Sequence, residues 1–266
     1  FFFQDLLGSR MNFVLQEVKN YLGIITVNRP DALNALNAKV IEELTDAVNS
    51  MINNEDVGVV ILTGSGEKSF IAGADIKKMQ TMNSEKALEF GKSGQNLTLL
   101  IENSPKPFIA AVNGFALGGG SEVSLACHIR VASENAKFGQ PEVLLGILPG
   151  WGGTQRLPRI VGYGIAHELI TTGKMIDAAE AFRIGLVNHI YPLAELMEKS
   201  KDLGHQILKN GPNAIAKSLL CIRKSVNSNI ESGLNYELQR FSELFDTDEA
   251  KEGLSAFVEK RKPNYR

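Results

Sequence analysis

The chain has 266 residues, of which 44% are hydrophobic and 22% charged, so it can bury a sizeable core of ordinary globular composition. Its 28 basic and 30 acidic residues leave a formal charge of −2, without the basic excess of a nucleic-acid binder. No apolar run approaches the roughly 20 residues that span a bilayer. The two cysteines form no CxxC and the four histidines no HxxxH or HExxH pair, so the reading is a cytoplasmic protein with no metal site.

Residues 1–10 (FFFQDLLGSR) lack the basic start and cleavage site of a signal peptide and are read as a leader before a native start at Met11. Residues 12–18 and 24–27 are strand-like runs. Val40, Ile41, Leu44, Ala47, Val48, Met51 and Ile52 then recur at helical spacing, with Asn37 as a cap. Residues 57–63 (VGVVILT) are a continuous β-branched run, as in a parallel strand covered on both faces. A helical stretch over 76–102 stops before Pro105, and residues 108–112 (FIAAV) form the next buried strand. Residues 118–127 read as a turn opening a helix, and 129–132 and 186–190 as strands. From 193 the pattern is helical, broken at Asn210-Gly211-Pro212, with Thr247 capping a last helix. The expectation is an α/β core over residues 11–192 followed by a helical region over 193–266.

Several turns carry possible chemistry. Residues 64–69 (GSGEKS) resemble a phosphate loop but have Glu67 and Leu62 where glycines are required, so they read as an exposed turn. Gly118-Gly119-Gly120-Ser121-Glu122 follows a buried strand; with Val123 in place of a glycine it is neither a nucleophile elbow nor a dinucleotide fingerprint. Glycines at a helix start allow close backbone approach and leave free N–H groups facing outward. The turn 71–77 (IAGADIK), with Asp75 as a helix cap, is a second such place. Together the two turns could each supply an N–H to one oxygen, as an oxyanion hole needs. Glu122 and Glu142 each stand at a helix start, where capping is the plain explanation and paired acid/base chemistry the functional one. Trp151 reads first as packing and second as a pocket wall.

Six ordered blocks carry more meaning together. They are NRP with ALNAL at 28–36, AGADIK at 72–77, AVNG with ALGGGSE at 111–122, FGQPE at 138–142, PGWGGTQRL at 149–157 and AFVEKR at 256–261. In these blocks, from about Met11 to the C-terminus, the chain resembles the enoyl-CoA hydratase (crotonase) family, most of all bacterial short-chain hydratases and 3-hydroxybutyryl-CoA dehydratases. The resemblance implies a spiral of ββα turns with C-terminal trimerisation helices, in a homotrimer or homohexamer. It implies reversible syn addition of water to a trans-2-enoyl-CoA, with coenzyme A as part of the substrate and no separate cofactor. The N–H groups of Ala74 and Gly119 would hold the thioester oxygen. Glu122 would handle the water, Glu142 the C2 proton, and Gly150 would position the water. Ala32, Leu33, Ala35, Ala72, Gly73, Asp75, Ile76, Lys77, Gly118, Trp151, Phe241, Phe257 and Lys260 would contact the CoA ester. Met79, Met82, Ile147, Leu148 and Trp151 are candidates for the acyl pocket. Ser121 and His128 depart from the family's frequent Cys and Asp. The alternatives are a Δ3,Δ2-enoyl-CoA isomerase, for which one glutamate would suffice, an RNA-binding protein of the same fold, and a catalytically dead scaffold.

Overall fold

The computed structural model describes residues 13–265. The leader expected at residues 1–10 therefore lies outside the described residues. The first strands, β1 (Val14–Lys19) and β2 (Leu22–Val27), make an antiparallel hairpin. Helix α1 (Ala38–Asn53) follows, its N-cap Asn37 accepting from the Val40 N–H at 3.0 Å. Its six buried residues, Val40, Ile41, Leu44, Ala47, Val48 and Met51, were all among the apolar positions legible in the sequence.

Strand β3 (Val59–Gly64) leads to the short strand β4 (Ser69–Ile71), then to α2 (Ile76–Met79) and α3 (Ser84–Glu102). The single helical stretch expected over 76–102 is in fact two helices. Asn83 breaks it by accepting from the Lys86 N–H and capping α3. Strands β5 (Phe108–Val112) and β6 (Phe115–Leu117) precede α4 (Gly119–Ala126), followed by β7 (Ile129–Ser133) and β8 (Lys137–Gly139). After a 3₁₀ turn at Pro141–Leu145 come α5 (Gly153–Val161), α6 (Tyr163–Thr172), β9 (Met175–Asp177), α7 (Ala178–Arg183) and β10 (His189–Tyr191). The C-terminal helices are α8 (Leu196–Leu208), α9 (Pro212–Val226), α10 (Ile230–Leu244) and α11 (Asp248–Val258), the last capped by Thr247.

The strands form two sheets. One has the order β1-β2-β3-β5-β7-β10 and is parallel except at its first pair; the other is β4-β6-β8-β9, with only β9 antiparallel to its neighbour. Alternation along the central strands explains why they read as unbroken apolar runs. Val60 and Leu62 of β3 face the main core with Phe108, Ala110 and Val112 of β5. Val59, Ile61, Ile109 and Ala111 face the opposite way, against Leu196, Met197 and Leu203 of α8. The Val, Leu, Ile and Phe side chains among these contribute about 1.5–3 kcal/mol each when fully buried. The chain thus returns repeatedly from the large sheet to the small one.

The turn between β3 and β4 is pinned by two buried asparagines. The Asn34 amide donates to the Ser65 and Ser69 carbonyls at 3.0 and 2.8 Å, while its Oδ1 accepts from the Arg29 N–H at 2.9 Å. Asn113 donates to the Gly64 and Gly66 carbonyls at 2.9 and 2.7 Å. Leu33 and Asn34 have φ of 51° and 58°, a left-handed conformation maintained by these bonds.

Candidate active site

The site is assembled where β4 and β6 end. Beyond β4 the backbone at 72–75 is stitched to the loop before α1: the Ala72 N–H donates to the Leu33 carbonyl, Leu36 N–H to Gly73, and Asp75 N–H to Leu36, at 3.1, 2.8 and 2.8 Å. This ladder uses the residues on either side of Ala74 and leaves the Ala74 N–H without a partner among the described residues. Beyond β6, Gly118 has φ of +50° and its N–H is used by the Gly139 carbonyl at 3.0 Å. Gly119 is the first residue of α4, and its N–H has no partner among the described residues either.

A cavity of about 650 Å³ opens against both turns. Ala72, Gly73, Ala74, Ile76, Gly118, Gly119, Glu122, Glu142, Gly150 and Trp151 all line it. Met79, Met82, Ile147 and Leu148 line it too. The sequence reading missed Ala87, Phe90 and Gly91 of α3, and Leu117, Pro141, Leu144 and Leu145. Phe90 stands against Trp151 with ring centroids 5.2 Å apart. Its place in an amphipathic helix gave no hint of this, because the partner lies far along the chain.

Other residues singled out in the sequence stand outside that lining. Ala32, Leu33 and Ala35 lie in the loop stitched to 72–75 and do not line the cavity. Asp75 does not cap α2 with its side chain; it lies 3.6 Å from the Arg29 guanidinium. Lys77 is exposed on α2. On the C-terminal helices, Phe241 is exposed and packs against Phe245, and Phe257 and Lys260 are exposed.

Space is tight where glycine is present. A Cβ on Gly119 would lie 2.6 Å from the Trp151 ring, one on Gly118 2.9 Å from Glu142 Oε1, and one on Gly120 1.9 Å from the Ile71 carbonyl oxygen. Trp151 is therefore both packing and pocket wall. It is buried, covers Gly94 and Gly119, and lines the cavity.

Glu122 does not bond to the start of its own helix. Glu122 Oε1 accepts from the N–H groups of Trp151 and Gly153, each at 2.7 Å, and so caps the start of α5. Burial pushes the Glu122 carboxyl above the usual range, while these amides and the nearby Arg156 charge favour its ionised form. Glu142 is pushed up to about 7 by burial, against a bond from its own backbone N–H that favours the charged form, with a smaller upward push from the neighbouring Glu122 charge. With its amide nitrogen turned toward Glu142, Gln140 donates to both carboxyl oxygens at 3.2 Å and accepts from Ser121 Oγ at 3.3 Å. The arrangement offers one carboxyl held by fixed amide donors that favour its charged form, and a second carboxyl in the same cavity whose proton affinity is raised to about 7. No group of three or more His, Cys, Asp and Glu side chains suited to a metal occurs among the described residues.

His128 packs elsewhere. Its Nδ1 accepts from the Phe108 N–H at 2.9 Å, and burial lowers its pKa to about 4, so it is neutral.

Residues 17–266 match the family model described as enoyl-CoA hydratase/isomerase. Over 252 residues, the chain is 47% identical to the short-chain-enoyl-CoA hydratase of Clostridium acetobutylicum and 47% identical to the crotonyl-CoA hydratase of Syntrophomonas wolfei. In each case 95% of this chain and 97% of the relative are covered. The crystal structure of an enoyl-CoA hydratase from Bacillus anthracis superposes with a TM-score of 0.92 at 40% identity, covering 95% of this chain and 98% of that one. With its two-sheet fold, paired glutamates and matching length, the chain belongs to the enoyl-CoA hydratase/isomerase family.

Proposed function

We propose that the protein is a hydro-lyase that reversibly adds water to a short trans-2-enoyl-CoA such as crotonyl-CoA, giving the 3-hydroxyacyl-CoA. The observation that carries this reading is that Glu122 and Glu142 line one cavity together with the unpartnered amides of Ala74 and Gly119. Ionised Glu122 takes a proton from water as the water oxygen bonds to C3. The C2=C3 electrons move toward the carbonyl, and negative charge develops on the thioester oxygen. The Ala74 and Gly119 N–H groups receive that charge, each such donor being worth on the order of 3 kcal/mol. Protonated Glu142 then delivers its proton to C2. Each proton transfer adds about 10²–10⁴-fold. The Gly150 carbonyl is already taken by Gln95 Nε2 at 2.9 Å, which leaves its N–H for positioning the water.

The mainly apolar wall formed by Met79, Met82, Phe90, Ile147, Leu148 and Trp151 suits a short acyl chain. The names of the two bacterial relatives support that preference. CoA contacts at Ala32, Leu33, Ala35, Asp75 and Lys77, and at Phe241, Phe257 and Lys260, are part of this proposal. So are a trimeric or hexameric assembly and a cytoplasmic setting. The exposed apolar side chains of α9–α11, including Ile222, Leu234, Leu238 and Phe257, support self-association. No described helix is long and apolar enough to cross a membrane.

The test is to incubate the protein with crotonyl-CoA and, separately, with the 3-enoyl isomer. Loss of enone absorbance with formation of 3-hydroxybutyryl-CoA is expected. Conversion of the 3-enoyl ester to the conjugated ester without hydration would favour the isomerase instead.

A further inference from the structure

The amides that hold Glu122 belong to the turn 150–153, and this turn is clamped from behind. The Trp151 carbonyl accepts from Thr98 Oγ1 at 3.0 Å and from Arg156 Nη1 at 2.9 Å. The same guanidinium pairs with Glu102 through both of its other nitrogens, Nε to Oε1 at 3.2 Å and Nη2 to Oε2 at 2.8 Å. The Arg156 side chain is only 11% exposed. A two-point pair of this kind fixes a guanidinium in orientation as well as position. Gly152 makes room for it: φ there is +111°, and a Cβ would lie 2.2 Å from Arg156 Nη1. One peptide segment is thus gripped at its carbonyl by α3 and α5, and presents its N–H to Glu122.

We propose that Arg156 is a positioning residue for Glu122: tied to Glu102, it holds the Trp151 carbonyl and thereby fixes the two amides on Glu122 Oε1, leaving Oε2 for the substrate water. This rests on the hydratase reading for its kinetic consequence only. The charged groups facing Glu122 are Arg156 from α5 and Glu142 from the 3₁₀ turn. Loss of the Arg156 charge removes an influence that favours the ionised form.

Trp151 is the only tryptophan, so [¹⁵N]Trp labelling gives a single backbone amide signal, that of the donor to Glu122. In the wild type this proton should resonate downfield and follow Glu122 through its titration. In R156M it should move upfield and titrate at higher pH, while kcat falls about 10- to 100-fold, as small misplacements of catalytic groups do. KM should change by no more than about threefold, because no substrate contact is lost. R156K keeps the charge without the fork and should lose less. T98V removes the other donor to the Trp151 carbonyl with little change of shape. It should shift the same amide and lower kcat in the same direction, and it decides the matter should R156M fail to fold. An unmoved amide signal, or a moved signal with wild-type kcat, overturns the proposal. A wild type that leaves crotonyl-CoA unchanged would refute the hydratase reading, and the amide signal would still decide whether Arg156 sets the Glu122 amides.

Discussion

Replacing Glu142 by glutamine should stabilise the fold at alkaline pH while abolishing turnover. Free glutamate loses its proton near 4.5, whereas Glu142 in the folded protein holds it to about 7. Between those values the native state binds more protons than the unfolded chain, so stability falls as pH rises. Above 7 both states are ionised and the full penalty is present. Each tenfold change in proton affinity is worth about 1.4 kcal/mol, giving about 3 kcal/mol before solvent screening. Because the carboxyl opens partly to the cavity, about 2 kcal/mol is the working figure. Glutamine keeps the shape and hydrogen-bonding reach without the charge. Urea unfolding of wild type and E142Q at one protein concentration, at pH 5 and pH 8, should show the variant gaining about 1.5 kcal/mol relative to wild type between the two conditions, because part of the penalty is already present at pH 5. His128 titrates in both proteins, so its contribution cancels. A difference that is independent of pH, or that favours wild type at pH 8, would refute the claim that burial beside Glu122 raises the Glu142 pKa.

Further outcomes follow from the same geometry. E122Q should lose about 10²–10⁴-fold in turnover and keep its affinity for acyl-CoA, measured by steady-state kinetics beside ligand titration; near-wild-type rates would remove it from the chemistry. G120A drives a methyl group into the Ile71 carbonyl and should cost about 1–3 kcal/mol, read as a lowered unfolding midpoint. G119P removes an N–H donor, but the Trp151 ring 2.6 Å from its Cβ means that folding should suffer along with catalysis, so melting and rate must be measured together. His128, with its pKa lowered to about 4 by burial, stays neutral while the unfolded chain binds a proton between about 4 and the ordinary histidine value. The His128 contribution to stability therefore rises with pH across that window, against the fall contributed by Glu142. H128N should remove this rising contribution in urea titrations, so that its stability relative to wild type falls as pH is raised through the window.

How much of this could be read from the sequence depends on the range of the interactions. Helix α1 was legible because its six buried residues repeat at the helical period. Strands β3 and β5 were legible because both of their faces are covered. The strands β4, β6 and β8 have three residues each, too few for any period, and their existence depends on partners elsewhere in the chain. Asp75 shows a local rule overridden, since its carboxylate is drawn toward Arg29 across the loop. The glycine turns and both glutamates stood out as unusual residues at helix starts. That they line one cavity was carried by family resemblance, because nothing in the spacing of 74, 119, 122 and 142 places them together. Asn34 and Asn113 went unassigned although polar residues among apolar runs were a signal of buried bonding. The Arg156–Glu102 pair spans 54 residues and left no local trace.

The most direct test is a crystal structure of the E142Q variant with crotonyl-CoA bound. The thioester oxygen should lie about 3 Å from both the Ala74 and Gly119 nitrogens, with C2 and C3 between Glu122 and the substituted side chain at position 142. An acyl group bound elsewhere, or an oxygen turned away from either amide, would contradict this mechanism.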